Sequence, residues 1–441
     1  MEQGQTKYIL VEGYSSLSPE HKRRIEWIFD FWIRILGIKI ELCCSGNFHL
    51  VLPRPRIPVN PENPDRETAA NMLDMINEDL ILESEDPRTS QDLITLFCCA
   101  LSGGIIRIIS NEFHAEEWER AVKVPFLEKK LKSLAEFWKI PYKKECRTVI
   151  THDLDDINLF SLRERIRKMF FCRPAEISNV LYQICQVVYT PFKAVLFKRK
   201  SHFFKNLVEF NRLNNIRSTY FIPFYHTAGD TKDTFYHSDD ILPALLLSVR
   251  DFFAGCKNQD VEIGYHPGIW ISNQNEHMFL EASKLFFKHY PKAKKICRQH
   301  YLHLKDHFID FWKIADLAVD SSWGFNQFTG FAAGTSRPFY LWDKTAGSPS
   351  GILEFPFVIQ DIALCGLGKN PNMEKIKNEI EYYIQVTLEY GGGLCVIFHP
   401  TYQTGCFPEF VEAYRYFIYA VKNNSIPVMQ LSEAVGLNSN N

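Results

Sequence analysis

The stretch Thr148–Asp156 reads TVITHDLDD and decides the fold, because residues suited to a buried strand run directly into a histidine and three carboxylates. Asp153 and Asp155 stand two residues apart, so on an extended chain their side chains point the same way. Two carboxylates that share a site cannot both stay ionised cheaply unless a cation lies beside them. A metal bound by Asp155 would relieve that repulsion and leave Asp153 as a base. The structural alternative is a cluster in which Asp155 or Asp156 caps a helix.

Beyond residue 146 the sequence alternates short apolar strands with long helical stretches. We predict strands at 148–152, 218–223, 261–266, 295–301, 317–321, 355–361, 394–399 and 427–430, and helices at 160–171, 240–253, 276–289 and 373–390. An alternation of this kind, repeated about seven times, is typical of a parallel β/α barrel. We therefore expect an α/β fold in which residues 146–441 form a distorted (β/α) barrel of about seven strands.

Residues 1–145 are expected to form a smaller α+β accessory domain. Ser18 and Pro19 are typical of a helix start, and the apolar spacing that follows ends at Gly37. The segments 38–44 and 48–52 are then expected to pair as a hairpin. No group of histidines, cysteines and acids stands out in this part of the sequence, so its role is not indicated.

Polar residues end five of the eight predicted barrel strands. They are Asp153 and Asp155, His266, Arg298 and His300, Asp320, and His399. Chemistry in such barrels gathers at the carboxyl ends of the strands, so we expect these side chains to share one rim. His266 suits a metal ligand, Arg298 can grip a carboxylate, and His399 can act as a general acid. Each residue alone has a structural explanation, but their joint placement indicates a catalytic site.

Composition and charge are those of a soluble globular protein. The chain has 441 residues, is 46% hydrophobic and 23% charged, and has a formal net charge of −2, so nothing predicts nucleic acid as a partner. No export signal or transmembrane stretch is visible, and the twelve cysteines show no metal-binding spacing. We therefore expect a cytoplasmic protein with reduced cysteines. The basic and aromatic stretch 193–205 is either a peripheral membrane contact or a solvated helix face.

Five motifs, read together, resemble those of one enzyme family. THDLD at 151–155, EIGYHP at 262–267, RQHYL at 298–302, DSSWGF at 320–325 with GFAAGTSRPF after it, and VIFHP at 396–400 occur in the order of the polysaccharide deacetylases. These are the NodB-homology proteins, similar to carbohydrate esterase family 4. The resemblance covers about residues 147–435 and is greatest to a branch with a THDxD first motif and an N-terminal accessory domain.

The resemblance implies metal-assisted hydrolysis of the N-acetyl group of an amino sugar or glycan precursor. It assigns Asp153 as the base, Asp155 and His266 as metal ligands, Arg298 as the residue that orients the base, and His399 as the acid. Asp320 or Asp361 would orient His399, and the backbone N–H of Tyr301 would help to hold the oxyanion. The aromatic residues Tyr301, Trp323 and Trp270 are expected to contact the sugar, although the protein core could also account for them.

One position departs from the family pattern. The second motif of the family carries two histidines spaced four apart, and Trp270 stands at the second position here. A zinc site usually has three protein ligands and a water, so His300, His152 or Asp156 would have to supply the third ligand. We favour His300 because it ends a neighbouring strand.

Two other functions stay open at this point. Trp270 is compatible with a degenerate barrel that binds a glycan or a protein partner without turnover. A metal-independent hydrolase of another C–N bond is the second alternative. Retention of Asp153, Arg298 and His399 favours an enzyme, since a binding protein has no need of that trio.

Overall fold

In the computed structural model, the strand Cys146–Asp153 lies inside the larger sheet and pairs with a strand on each side. The structure describes residues 6–43, 49–80, 82, 88–110, 115–154, 203–223, 241–242, 247–248, 253, 255–256, 261–268, 276–302, 308–366, 372–403 and 407–437. Its strands are β1 Thr6–Val11, β2 Lys39–Leu42, β3 Leu50–Leu52, β4 Cys146–Asp153, β5 Ser218–Pro223, β6 Ile241–Leu242, β7 Leu247–Ser248, β8 Val261–His266, β9 Ile296–Cys297, β10 Val319–Asp320, β11 Phe339–Asp343, β12 Ser348–Glu354, β13 Ile359–Gln360, β14 Gly392–Ile397 and β15 Val428–Met429.

The described residues form thirteen α-helices, six of them in the N-terminal part. They are α1 Pro19–Leu36, α2 Arg66–Asn77, α3 Leu93–Leu101, α4 Gly104–Ser110, α5 Ala115–Ala121, α6 Phe126–Phe137, α7 Phe203–Leu213, α8 Glu276–His289, α9 Phe308–Ile314, α10 Asp361–Cys365, α11 Met373–Tyr390, α12 Pro408–Asn423 and α13 Leu431–Ala434. In the described part of the chain no single helix is long and apolar enough to cross a membrane, and α3 with α4 passes that test only as a pair bent by 74°. Residues 193–202 of the basic stretch lie outside the described residues.

The larger sheet is a curled half-barrel, which confirms the predicted α/β fold. Its order is β11-β12-β10-β9-β8-β5-β4-β14-β13, with β15 paired to the first half of β4. The pairs are parallel except β11–β12. The segment 355–358 crosses between the two ends of the sheet, since Phe355 N donates to Asp320 O (2.9 Å) and Val358 N donates to Cys395 O (2.8 Å). The open side is thus spanned by one extended segment rather than by a complete ladder.

The prediction of the strands succeeded best where an apolar run is long. The segments 148–152, 218–223, 261–266 and 394–399 match β4, β5, β8 and β14 closely. By contrast, the predicted strands 295–301 and 355–361 shrink to two paired residues each. The chain leaves the sheet there, because a 3₁₀ turn begins at His300 and α10 begins at Asp361. The antiparallel pairs β11–β12 and β6–β7 were not predicted, and the predicted helix 240–253 is wrong where β6 and β7 lie. The predicted helix 160–171 lies outside the described residues.

The N-terminal residues form a separate, small parallel sheet with the order β2-β1-β3. The predicted hairpin of 38–44 with 48–52 is wrong, because β2 and β3 pair with opposite sides of β1. Helix α1 lies between β1 and β2 in the chain and provides the crossover that a parallel pair needs. Its predicted ends are confirmed: the Ser18 hydroxyl accepts from His21 N (3.2 Å), and Gly37 ends the helix at φ +66°.

A buried carboxylate joins the N-terminal helices to the larger sheet. Glu128 on α6 is fully buried, and its Oε1 accepts from Thr335 Oγ1 (2.7 Å), Ser336 N (2.9 Å) and Ser336 Oγ (3.1 Å). Burial raises the pKa of Glu128. Trp27 on α1 adds a second link by donating to Tyr340 O (3.0 Å). Both parts of the chain also share one hydrophobic core, so neither packs independently of the other.

Substitution Glu128→Ala is expected to lower the free energy of unfolding by about 2–4 kcal/mol, because it leaves the buried donors Thr335 Oγ1 and Ser336 N without their acceptor. Glu136→Ala is the matched control, since Glu136 is exposed on the same helix. Urea unfolding followed by circular dichroism measures both variants. Equal effects of the two substitutions would contradict the structural role assigned to Glu128.

Candidate active site

Strand register brings the predicted polar residues to one rim of the half-barrel. Asp153 ends β4 and pairs with Phe221, while Thr151 pairs with Ile397, so His399 follows β14 at the level of Asp153. The register continues through β5 to β8, which ends at His266. Cys297 pairs with both Tyr265 and Asp320, so Arg298 is level with His266, and Asp320 lies one residue before that level.

Arg298 is the most heavily bonded side chain of this rim. Its Nη1 lies 2.8 Å from Asp153 Oδ1 and 2.6 Å from Thr151 Oγ1. Its Nε donates to Ser321 O (2.6 Å) and its Nη2 donates to Ser321 Oγ (2.8 Å). The guanidinium is completely buried and stacks on Phe221, with 4.3 Å from its central carbon to the ring centroid. Asp153 therefore balances the charge of Arg298 and is held in one orientation.

His399 is fixed by Asp361 through two hydrogen bonds. His399 Nδ1 lies 2.7 Å from Asp361 Oδ1, and the backbone N of His399 donates to Asp361 Oδ2 (2.6 Å). Asp361 is fully buried at the start of α10, directly after β13, which pairs with β14. With Nδ1 donating to the carboxylate, Nε2 is the nitrogen that can exchange a proton with a substrate.

Asp320 does not contact His399, so the alternative that Asp320 orients the acid is wrong. Asp320 accepts from Ser322 Oγ (2.6 Å) and Cys297 Sγ (3.4 Å) instead. It also pairs with Glu354 across β10 and β12, and both carboxyls are fully buried. Burial raises the pKa of Asp320, and burial with the nearby Asp320 charge raises the pKa of Glu354 well above its ordinary value. Burial therefore favours the protonated form of both carboxyls.

Glu354 is a rim residue that was not predicted from the sequence. Its Oε1 accepts from Trp323 N (3.0 Å), which links the pair to a predicted sugar-binding residue. Because β12 was not predicted, nothing marked Glu354 as a strand end.

Two of the predicted metal ligands lie side by side. The ring centroids of His266 and His300 are 5.0 Å apart, and His266 Nδ1 lies 2.6 Å from Arg298 O. With Nδ1 donating to that carbonyl, the tautomer of His266 presents Nε2, as metal-binding histidines usually do. Within the described ranges no three His, Cys, Asp or Glu side chains could together hold a metal ion. Asp155 and Asp156 lie outside those ranges, as does Trp270.

His152 belongs to the core rather than to a metal site. Its Nδ1 lies 2.7 Å from Phe398 O, and its Nε2 lies 3.3 Å from Asn211 Nδ2. Asn211 Oδ1 in turn accepts from Tyr414 (2.6 Å). Burial lowers the pKa of His152 to about 4. Both ring nitrogens are engaged, so the alternative that His152 supplies the third metal ligand does not fit.

Tyr301 and Trp323 lie beside these residues at the edge of a cavity of about 400 Å³. Tyr301 is 63% exposed, has a left-handed backbone (φ +56°), and stacks on His300 with 4.3 Å between ring centroids. Asn326 Nδ2 donates to Tyr301 O (3.1 Å), which ties the two loops together. Trp323 is largely buried against Phe339. Tyr301 is thus mostly exposed, whereas Trp323 is mostly buried.

The low pKa of His152 predicts a pH-dependent stability. The unfolded chain binds a proton at His152 near pH 6.5 and the folded chain only near pH 4, so stability falls as the pH drops through that window, by roughly 3 kcal/mol. His152→Asn should lose this component, whereas His277→Asn, at an exposed position on α8, should keep it. Urea midpoints between pH 7 and pH 4 provide the measurement, and an unchanged pH slope in His152→Asn would refute the assignment.

Comparisons with known proteins show similarity at the level of structure only. A crystal structure of a candidate polysaccharide deacetylase from Mycobacterium smegmatis is 15% identical, with a TM-score of 0.41 over 67% of this chain and 91% of that chain. A second, from Bordetella bronchiseptica and described as involved in O-antigen biosynthesis, is 12% identical, with a TM-score of 0.27 over 45% of this chain and 66% of that chain. No protein-family model and no curated protein matches the chain.

Proposed function

We propose that the protein hydrolyses the N-acetyl group of an amino sugar in a glycan or glycan precursor. One observation carries the proposal: a carboxylate and an imidazole stand on one rim, and each is fixed by a buried partner of opposite charge. These are the pairs Asp153–Arg298 and His399–Asp361. The order of the five sequence motifs supports the same reaction.

The two fixed groups match the two proton transfers that amide hydrolysis requires. Asp153 takes a proton from the attacking water, and the oxygen adds to the amide carbon to give a tetrahedral intermediate. His399, protonated at Nε2, then gives its proton to the sugar nitrogen as the C–N bond breaks, because an amide anion cannot leave at neutral pH. Asp361 stabilises the imidazolium form of His399. The products are acetate and a free amino sugar.

We further propose that Asp155, His266 and His300 hold a divalent cation, with zinc as the expected ion. Two imidazoles and a carboxylate match the ligand chemistry of catalytic zinc sites, which keep one position open. When bound, such an ion polarises the amide carbonyl and makes water more acidic. The Arg298 carbonyl that orients His266 belongs to the same residue whose guanidinium orients Asp153. The candidate ligand His266 and the proposed base Asp153 are therefore held in fixed positions relative to each other.

A second candidate is a metal-independent hydrolase of another C–N bond. Its support is that Trp270 replaces the second motif histidine. Asp153 and His399 keep the same roles in this candidate. Dependence of the activity on a metal therefore distinguishes it from the proposed deacetylase.

Asp153→Asn is expected to lower the rate of acetate release at least about a thousandfold, because the amide that replaces the carboxylate cannot accept the proton of water. The assay measures acetate from N-acetylglucosamine, its oligomers and nucleotide-linked N-acetyl sugars, using zinc-loaded protein. Asp30→Asn is the matched control, since Asp30 lies on the exposed face of α1. Full activity in Asp153→Asn, or no acetate from any of these sugars, would overturn the proposal.

The same preparations separate the metal-dependent and metal-independent forms of the reaction. Elemental analysis should find about one zinc per chain in the unaltered protein and almost none in His266→Ala. His277→Ala should keep its zinc, because His277 is exposed on α8. Acetate release that survives chelation and the His266→Ala change would favour the metal-independent hydrolase.

A further inference from the structure

Two buried carboxyl groups near Arg298 have no part in the proposed reaction. Asp320 on β10 and Glu354 on β12 are register partners on neighbouring parallel strands, and both are fully buried. Their carboxyl groups are hydrogen-bonded to each other. An ionised carboxylate only accepts hydrogen bonds, so a bond between two carboxyl groups requires a proton on one of them. These two residues are called the carboxyl pair below.

The hydrogen bonds around the carboxyl pair place this proton on Glu354. Asp320 accepts from Ser322 Oγ (2.6 Å), Ser322 N (3.2 Å) and Cys297 Sγ (3.4 Å), and these donors oppose the effect of burial on its pKa. Glu354 Oε1 accepts from Trp323 N (3.0 Å), and no donor among the described residues reaches its buried Oε2. Several donors favour the ionised form of a carboxyl, and burial without donors favours the protonated form. The proton therefore belongs on Glu354, which donates to Asp320.

The charges near the carboxyl pair also favour a single negative charge. The positive charge of Arg298 acts on Glu354, but Asp153 already balances it at 2.8 Å. Burial and the nearby Asp320 raise the pKa of the Cys297 thiol well above its ordinary value, so that the thiol stays neutral. Among the described residues, a second ionised carboxyl in the pair would therefore share Arg298 with Asp153.

The carboxyl pair holds the turn that in turn holds Arg298. Ser321 accepts from Arg298 Nε through its carbonyl (2.6 Å) and from Nη2 through its hydroxyl (2.8 Å). The next two residues, Ser322 and Trp323, are both bonded to the carboxyl pair. Ser322 Oγ also accepts from Gln299 N (2.9 Å), the residue after Arg298. The turn 321–323 is thus fixed against the segment 298–299.

We infer that Asp320 and Glu354 share one proton at neutral pH, and that this carboxyl pair positions Arg298 and, through it, Asp153. Loss of the proton would place two adjacent negative charges next to the turn that holds Arg298. The two charges would repel each other and compete with Asp153 for the guanidinium. The positioning role rests on the proposed function, whereas the shared proton does not depend on it.

The number of protons released on unfolding tests the shared proton. Glu354 is ionised in the unfolded chain at pH 7, so unfolding of the unaltered protein releases the proton. Glu354→Gln keeps an oxygen for Trp323 N and an N–H for Asp320, but it cannot ionise. Unfolding of this variant should release about one proton fewer, as obtained from the pH dependence of its urea unfolding around pH 7. Glu354→Leu, a second variant that cannot ionise, should show the same deficit.

The double variant Asp320→Asn with Glu354→Gln counts the protons of the carboxyl pair. It should also release about one proton fewer than the unaltered protein, because the pair holds only one. Glu136→Gln, at an exposed position on α6, is the control and should release as many protons as the unaltered protein. No deficit in the two Glu354 variants, or a deficit of two protons in the double variant, would overturn the inference.

Steady-state kinetics of acetate release test the positioning role. Glu354→Leu removes the acceptor of Trp323 N, and Ser322→Ala removes the hydroxyl between Asp320 and Gln299 N. Both changes should lower kcat at least about tenfold and leave KM within about twofold, because they disturb the orientation of the base. Glu354→Gln, which preserves the hydrogen bonds, should restore most of the rate lost in Glu354→Leu. Unaltered kcat in both variants, or equal losses in the two Glu354 variants, would refute the positioning role.

The two measurements separate this inference from the proposed function. A protein that shows the deficit of one proton but releases no acetate would support the shared proton and refute both the proposed hydrolysis and the positioning role. An active enzyme without the deficit would refute the shared proton and leave the proposed hydrolysis standing.

Discussion

The structure depends on the burial of one guanidinium group. Arg298 is fully enclosed, and its charge and its donors must be satisfied inside the protein because no water reaches them. Thr151, Asp153 and Ser321 supply the acceptors, and they come from the ends of β4 and β10. A shift of either strand would leave a charge without its partner, so this interaction fixes the positions of the strand ends relative to each other.

The remainder of the candidate site extends from the same residue. The carbonyl of Arg298 orients His266, and the strand pairing that holds Asp153 also holds His399 level with it. Asp361 then sets the tautomer of His399 from the adjacent strand end. The proposed base Asp153, the proposed acid His399 and the candidate metal ligand His266 are thus positioned by backbone register and by buried side chains.

Much of this arrangement could be predicted from the sequence, because long apolar runs identify the central strands and polar residues mark where they end. The strands β4, β5, β8 and β14 were found in this way. Short strands were harder, since β9, β10 and β13 pair through only two residues each and depend on neighbours that are distant in the chain. The predicted segments 295–301, 317–321 and 355–361 contain these strands, but no local pattern shows that they are so short.

Other features could not be predicted because they depend on pairing between segments that are distant in the chain. The segments 38–44 and 48–52 look like a hairpin, yet β1 lies between the two strands that they contain. Glu354 could not be assigned to the rim because its role depends on pairing of β12 with β10. The choice of Asp361 over Asp320 as the partner of His399 likewise required the path of the segment 355–358 across the open side of the sheet.

The N-terminal part is integral to this architecture. Its helices share a core with the half-barrel, and Glu128 binds the loop that precedes β11. The stability of the rim therefore depends on residues far from the sequence motifs.

A double-mutant cycle between Arg298 and Asp153 tests the central claim most directly. The free energy of unfolding is measured for the unaltered protein, Arg298→Met, Asp153→Asn and the double variant. If the two side chains form a buried pair, each single change leaves an uncompensated partner, and the cycle should give a coupling energy of about 2–3 kcal/mol or more. Additive effects of the two substitutions would show that they do not interact, and the account of the site would be contradicted.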